Sequence, residues 1–116
     1  MSNDEFDSGL TLREPTFFIL LSLSPGPKHG YAILKEIEAL SDGRVRLSTG
    51  TLYGAIKRLL EDGWIRRADD PLPDDSRRER KAYALTERGR RALNAEIERL
   101  SELVRVARML AAEETL

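Results

Sequence analysis

Between Ser48 and Arg58 the chain places six groups suited to phosphate and base edges: the hydroxyls of Ser48, Thr49, Thr51 and Tyr53 and the cations of Lys57 and Arg58. Such hydroxyls hydrogen-bond phosphates or bases, and Lys and Arg pair with phosphates. The same stretch contains Gly50 and Gly54. An interior helical glycine costs about 1 kcal/mol relative to alanine, so two of them suggest that something must approach this face closely. The bland alternative places Gly50 in a frayed first turn and packs Gly54 beneath a neighbouring element. A second basic group, Arg77, Arg78, Arg80 and Lys81, is offset within its own five residues only by Glu79. Arginine at a loop tip suits a phosphate or a narrow minor groove, although Asp69, Asp70, Asp74 and Asp75 are near enough in sequence to neutralise it.

Charge is distributed to match. The formal net charge is −1 over 116 residues, yet residues 44–91 hold thirteen Lys/Arg against eight Asp/Glu, a net of +5. The segments on either side are both acidic. A basic middle points to a polyanionic partner more than the total charge does.

Other chemistry is not encoded. There is no P-loop, GxGxxG, GxSxG or HExxH pattern, and carboxylates fall in solvated runs, so no enzyme is expected. With one histidine and no cysteine, neither a zinc site nor a disulfide is available, and no cofactor is called for. His29 precedes Gly30 and Tyr31 at the start of a helix, where free N–H groups attract phosphate; a capping or packing role fits it equally. Trp64 suits core packing beneath a hairpin or the wall of a ligand cavity. Tyr83 reads as core.

These groups need elements to hold them. Residues 1–11 read as a flexible segment. Pro15 opens a helix over "TFFILLSL", apolar nearly all round and therefore expected to be the most buried. "SPGPKHG" breaks the chain. A second helix follows, with Ile33, Ile37 and Leu40 on one face and a stop at Gly43. Ser48 is an N-cap for a third helix, whose apolar arc is Leu52, Ile56, Leu59 and Leu60 and which ends at Gly63. "WIRRA" and "ERKAYALT" read as two strands of a hairpin around a polar loop, with Lys81, Tyr83 and Leu85 on one side of the second. From Glu87 onward Leu93, Ile97, Leu100, Val104, Ala107 and Ala111 recur at spacings of four and three, a seven-residue repeat that predicts a seam for a second copy. The expected fold is mainly α with a small β-hairpin: a winged helix-turn-helix over residues 12–86, then a long dimerisation helix over 87–116. The third helix is its recognition helix and the hairpin loop its wing. The apolar block Phe17 to Leu23 is too short to span a bilayer, and the acidic N-terminus is unlike a secretory signal; a cytoplasmic protein without a membrane partner is expected.

"HGYAILKEI", "STGTLYGAIKRLLEDGWI" and "RKAYALTERGRRAL" together resemble the PadR family of bacterial transcriptional regulators, in its branch with a single C-terminal helix. The resemblance implies a homodimer held by that helix and repression at a palindromic operator in double-stranded DNA. It places Tyr53 and Lys57 toward DNA with Leu52 in the core, and matches His29, Gly30 and Tyr31, then Tyr83, Leu85, Thr86 and Gly89, to the family's motifs. A small-molecule effector is implied but not identified. A winged-helix interaction module, or a sensor acting without DNA, remains the alternative reading of the residues alone.

Overall fold

The computed structural model describes residues 12–68 and 81–115. In chain order the elements are α1 (Glu14–Ser22), β1 (Lys28–His29), α2 (Gly30–Leu40), α3 (Thr49–Glu61), β2 (Ile65–Ala68), β3 (Ala82–Leu85) and α4 (Glu87–Thr115). The architecture is the mainly α winged helix expected, with one addition. The sheet has three antiparallel strands in the order β1-β3-β2, because Lys28 and His29 pair with Tyr83 and Ala82.

That extra strand alters the hairpin. β3 was expected to alternate, but Ala82, Tyr83 and Ala84 are all buried. As the middle strand it is flanked on both edges, and α4 also packs against it. The first helix also departs from expectation. Ile19, Leu20 and Leu23 are fully enclosed, yet Phe17 and Phe18 are only partly buried, stacked edge-on with ring centres 5.8 Å apart.

Local signals place α3 well. Ser48 caps α3 by accepting the Thr51 backbone N–H at 3.1 Å. Leu52, Ala55, Ile56 and Leu59 turn into a core shared with Ile33, Ile37 and Trp64. At the far end Gly63 adopts φ 78°. Its N–H donates to the Leu60 carbonyl, and the Trp64 N–H donates to that of Leu59. This is a Schellman cap, which requires the left-handed conformation that glycine enters without strain.

Thr86 then welds α4 to this corner. Its hydroxyl donates to the Gly63 carbonyl at 2.6 Å and accepts the Gly89 N–H at 3.0 Å, while its own N–H donates to the Trp64 carbonyl. A Cβ at Gly89 would collide with that same Trp64 carbonyl. The TERG motif is thus a docking device, with Thr86 as N-cap and Gly89 as the residue of closest approach. Trp64 itself is 2% exposed, in the core.

Beyond this corner α4 leaves the body, and the molecule measures 63 × 33 × 23 Å. Leu93, the first residue of the predicted seam, is 2% exposed and belongs to the protomer's own core; it is not available to a second copy, because the first turns of α4 lie against α1 and β3. Glu96 is also buried. It accepts from Arg99 at 2.6 and 3.0 Å.

The Arg99 hydrogen bonds hold the Glu96 carboxyl below the usual carboxylate range against the opposing effect of burial. A depressed folded pKa means the contribution is complete above the ordinary value of about 4.3 and is lost as pH falls through the lower folded value. Glu96→Ala is expected to cost about 1–2 kcal/mol at neutral pH and to flatten the acid side of the stability curve. Urea unfolding at a series of pH values checks this; a variant as acid-sensitive as the parent would refute it.

Candidate nucleic-acid interface

The solvent face of α3 carries Thr49, Thr51, Tyr53, Lys57 and Arg58, all exposed, with the equally exposed Ser48 at its cap. Ser48 and Thr51 are linked to one another, the Ser48 hydroxyl donating to Thr51 Oγ1 at 3.0 Å. The two glycines lie in the midst of this face. A Cβ at Gly50 would meet nothing within 4 Å, and one at Gly54 only the Arg58 guanidinium, at 4.0 Å. Gly54 therefore does not pack beneath a neighbouring element. Among the described residues, none packs closely enough to require either glycine.

Several arginines elsewhere in the molecule are paired with carboxylates. Arg44 pairs with Glu14 at 2.7 Å, Arg99 with Glu96 at 2.6 Å and Arg105 with Glu102 at 2.6 Å. In each pair the arginine holds its carboxylate partner ionised, lowering the pKa of Glu14, Glu96 and Glu102 through side-chain hydrogen bonds. Among the described residues Lys57 and Arg58 have no such carboxylate partner.

Because α3 tolerates a methyl group at position 54, Gly54→Ala is expected to raise the stability of the free protein by about 0.5–1 kcal/mol. A thermal melt that fails to shift upward would show that the backbone there, and not an outside partner, demands glycine.

Around α3 the other expected residues fall at varied depths. Tyr31 projects from α2, 66% exposed, with the Lys35 ammonium 5.7 Å from its ring centre. His29 is half-buried at the N-cap of α2, where its side chain makes no capping hydrogen bond. Lys81 is exposed just before β3. Arg77, Arg78 and Arg80 lie outside the described residues. Arg66 and Arg67 of β2 were not singled out from sequence, yet both are exposed. Arg67 sits over the Tyr83 ring at 6.0 Å. Their signal was present in the "IRRA" run: an edge strand cannot bury two consecutive arginines.

Further along the chain α4 presents Ile97, Leu100, Val104, Ala107 and Ala111 to solvent. Leu103 and Leu110 are also exposed, at 53% and 58%, and were missed because they fall outside the strict four-three spacing. They widen the apolar stripe. Phe17 of α1 and the α4 residues Ile97, Leu100, Val104 and Met109 border an open groove of about 780 Å³. Trp64 is not among its walls.

Among the described residues no helix is long and apolar enough to cross a membrane, and no cluster of side chains suits a metal ion.

Comparisons with known proteins agree with this arrangement. The model of the transcriptional regulator PadR-like family matches residues 19–95. A 37.1 kDa protein in transposon TN4556 of Streptomyces fradiae is 38% identical over 85 residues, 73% of this chain but 22% of its own length. This chain thus spans about a fifth of that relative. A transcriptional regulator from Clostridium thermocellum is 26% identical with a TM-score of 0.65, over 82% of this chain and 87% of that one. A PadR family transcription regulator from Clostridium difficile shares the fold with a TM-score of 0.69 at 23% identity, over 85% of this chain and 99% of that one. Bacillus subtilis PadR in complex with operator DNA shares it with a TM-score of 0.61 at 24% identity, over 71% of this chain and 45% of that one.

Proposed function

This chain belongs to the PadR-like family of transcriptional regulators, and from that premise we propose that it binds double-stranded DNA in a sequence-specific manner, as a homodimeric repressor of a palindromic operator. One observation carries the reading: on the exposed face of α3, two glycines meet no close neighbour and two cations have no carboxylate partner among the described residues. A helix so thinned admits a groove wall, and cations left open admit phosphates. The structure of Bacillus subtilis PadR with operator DNA supports the same partner.

In this reading α3 enters the major groove. Ser48, Thr49, Thr51, Lys57 and Arg58 contact backbone and bases; His29 and Tyr31 at the start of α2 border the same surface. Arg77, Arg78, Arg80 and Lys81 of the wing segment, with Arg66 and Arg67 on its strand, add phosphate contacts. Residues 12–86 form the reading unit. The outward face of α4, from Ile97 through Leu100, Val104 and Ala107 to Ala111, pairs two copies so that their recognition helices meet successive major grooves about 34 Å apart. An effector that favours another spacing between the copies releases the DNA by shifting populations of dimer conformations. The same Gly54→Ala variant that gains stability is expected to lose DNA affinity, since its methyl group occupies the space of approach.

Selection of bound fragments from a random duplex pool tests the proposal directly. Enrichment of an inverted repeat with half-sites one helical turn apart is expected. Recovery of no common sequence would refute sequence-specific recognition, and a single half-site would refute the dimeric mode.

A further inference from the structure

Tyr53 behaves unlike its neighbours on α3. Its ring folds back over the first residue of α2: a Cβ placed on Gly30 would strike the Tyr53 hydroxyl and lie 2.8 Å from Cζ and 3.0 Å from Cε1. Gly30 is buried while Tyr53 stays 45% exposed. One part of the ring thus lies on the α2 backbone and another faces solvent.

Gly30 follows directly on β1, whose His29 and Lys28 pair with Ala82 and Tyr83 of the central strand. Tyr83 is 3% exposed beneath the Arg67 guanidinium. Burial is the main reason its phenol is shifted above the ordinary tyrosine range, and the nearby Tyr53 phenol adds to that shift. A single aromatic ring therefore links α3 to the start of α2, at the point where the chain leaves β1 and the sheet.

We propose that Tyr53 is a positioning residue: seated on Gly30 at the end of β1, its ring couples the recognition helix to the sheet, so that the two meet DNA as one body. The consequence for DNA rests on the function proposed above; the seat on Gly30 does not. Leu52, Ile56 and Leu59 keep α3 folded onto the core without the ring. What its loss changes is the angle between α3 and the hairpin, and a surface that must be ordered at the moment of binding binds more weakly than a preorganised one.

The test uses Tyr53→Ala, Tyr53→Phe, Gly30→Ala and the Gly30→Ala/Tyr53→Ala double variant of the full chain, with duplex binding measured across a salt series. Tyr53→Ala is expected to weaken binding about tenfold and to lower the salt slope by about one phosphate's worth, as the wing disengages. Tyr53→Phe, which keeps the ring, restores most of both. Gly30→Ala has no DNA-contacting group to lose, yet its methyl unseats the ring and reproduces the Tyr53→Ala defect; the double variant is no weaker than either single one. Without DNA, the Tyr83 titration followed by NMR of ring-labelled tyrosine moves down toward the ordinary value in Gly30→Ala and in Tyr53→Ala.

Three results would each overturn the proposal: Tyr53→Phe as weak as Tyr53→Ala, which would make the hydroxyl a direct DNA contact; Gly30→Ala binding like the parent; or a Tyr83 titration unmoved by Gly30→Ala. Should the parent protein bind no duplex at low salt, the regulator reading fails on its own, and the Tyr83 titration then decides the joint.

Discussion

Replacing Leu100 with aspartate is expected to convert a dimer into monomers and to abolish tight operator binding. Leu100 is 36% exposed on the outward face of α4 and borders the groove beside Phe17. In a two-fold dimer every substitution appears twice. Each copy loses the burial of a leucine, about 1.5–3 kcal/mol, and places a carboxylate in an apolar seam without a partner, where desolvation opposes it further. Together these raise the dimer dissociation constant by at least about a hundredfold. The protomer should fold normally, because its core lies in the winged helix and the first turns of α4, including Leu93. Sedimentation or light scattering checks the mass, and circular dichroism the fold. A dimer that persists would place the interface elsewhere than the Ile97–Ala111 stripe.

The second large effect is electrostatic. Lys57→Ala together with Arg58→Ala removes two open cations from each recognition helix. Every phosphate left unneutralised lowers the slope of log K against log salt by about 0.9, so a dimer deprived of four cations should show a slope shallower by about 3–4. Affinity at low salt should fall by one to several powers of ten, on the order of a tenfold loss per 1.4 kcal/mol of binding energy, and it should fall for operator and random duplex alike, because phosphates carry no sequence information. Stability should change by no more than about 0.5 kcal/mol, as expected for exposed surface residues. Unchanged duplex affinity across the salt series would favour the alternative in which the winged helix is a protein-interaction module.

The two experiments fail independently. The Leu100 variant questions how copies are arranged; the Lys57 and Arg58 pair questions whether DNA is the partner at all.

Much of this molecule is legible before any coordinates. Ser48, the Leu52–Ile56–Leu59 arc and Gly63 specify α3 from cap to cap, because capping and periodicity act within a few residues and need no distant partner. The polarity of the α4 repeat is legible for the same reason, as is the open cationic face opposite the α3 arc. Family membership follows from the order and spacing of three such segments.

Other features come only from residues brought together across the chain. β1 is two residues long and has no pattern of its own; it exists because Lys28 and His29 meet the open edge of β3. As the middle strand, also packed by α4, β3 buries Ala82, Tyr83 and Ala84 in succession and does not alternate. Arg66 and Arg67 carry a signal in their consecutive charges, but it is the strand order that puts β2 at an edge.

By itself the amino-acid sequence determined the kinds of element, their caps, and which faces are apolar, basic or glycine-thinned, since these depend on side-chain chemistry at spacings of one to four residues. Tertiary structure alone decided which body covers each apolar residue: Leu93 and Ile97 belong to one repeat, yet the first is enclosed by its own protomer and the second faces outward. It also decided the close approaches that explain Gly30 and Gly89, one beneath Tyr53 and the other against the Trp64 carbonyl. Those approaches join residues more than twenty positions apart, and periodicity, which reports how a residue faces its own element, carries no information about what arrives from another.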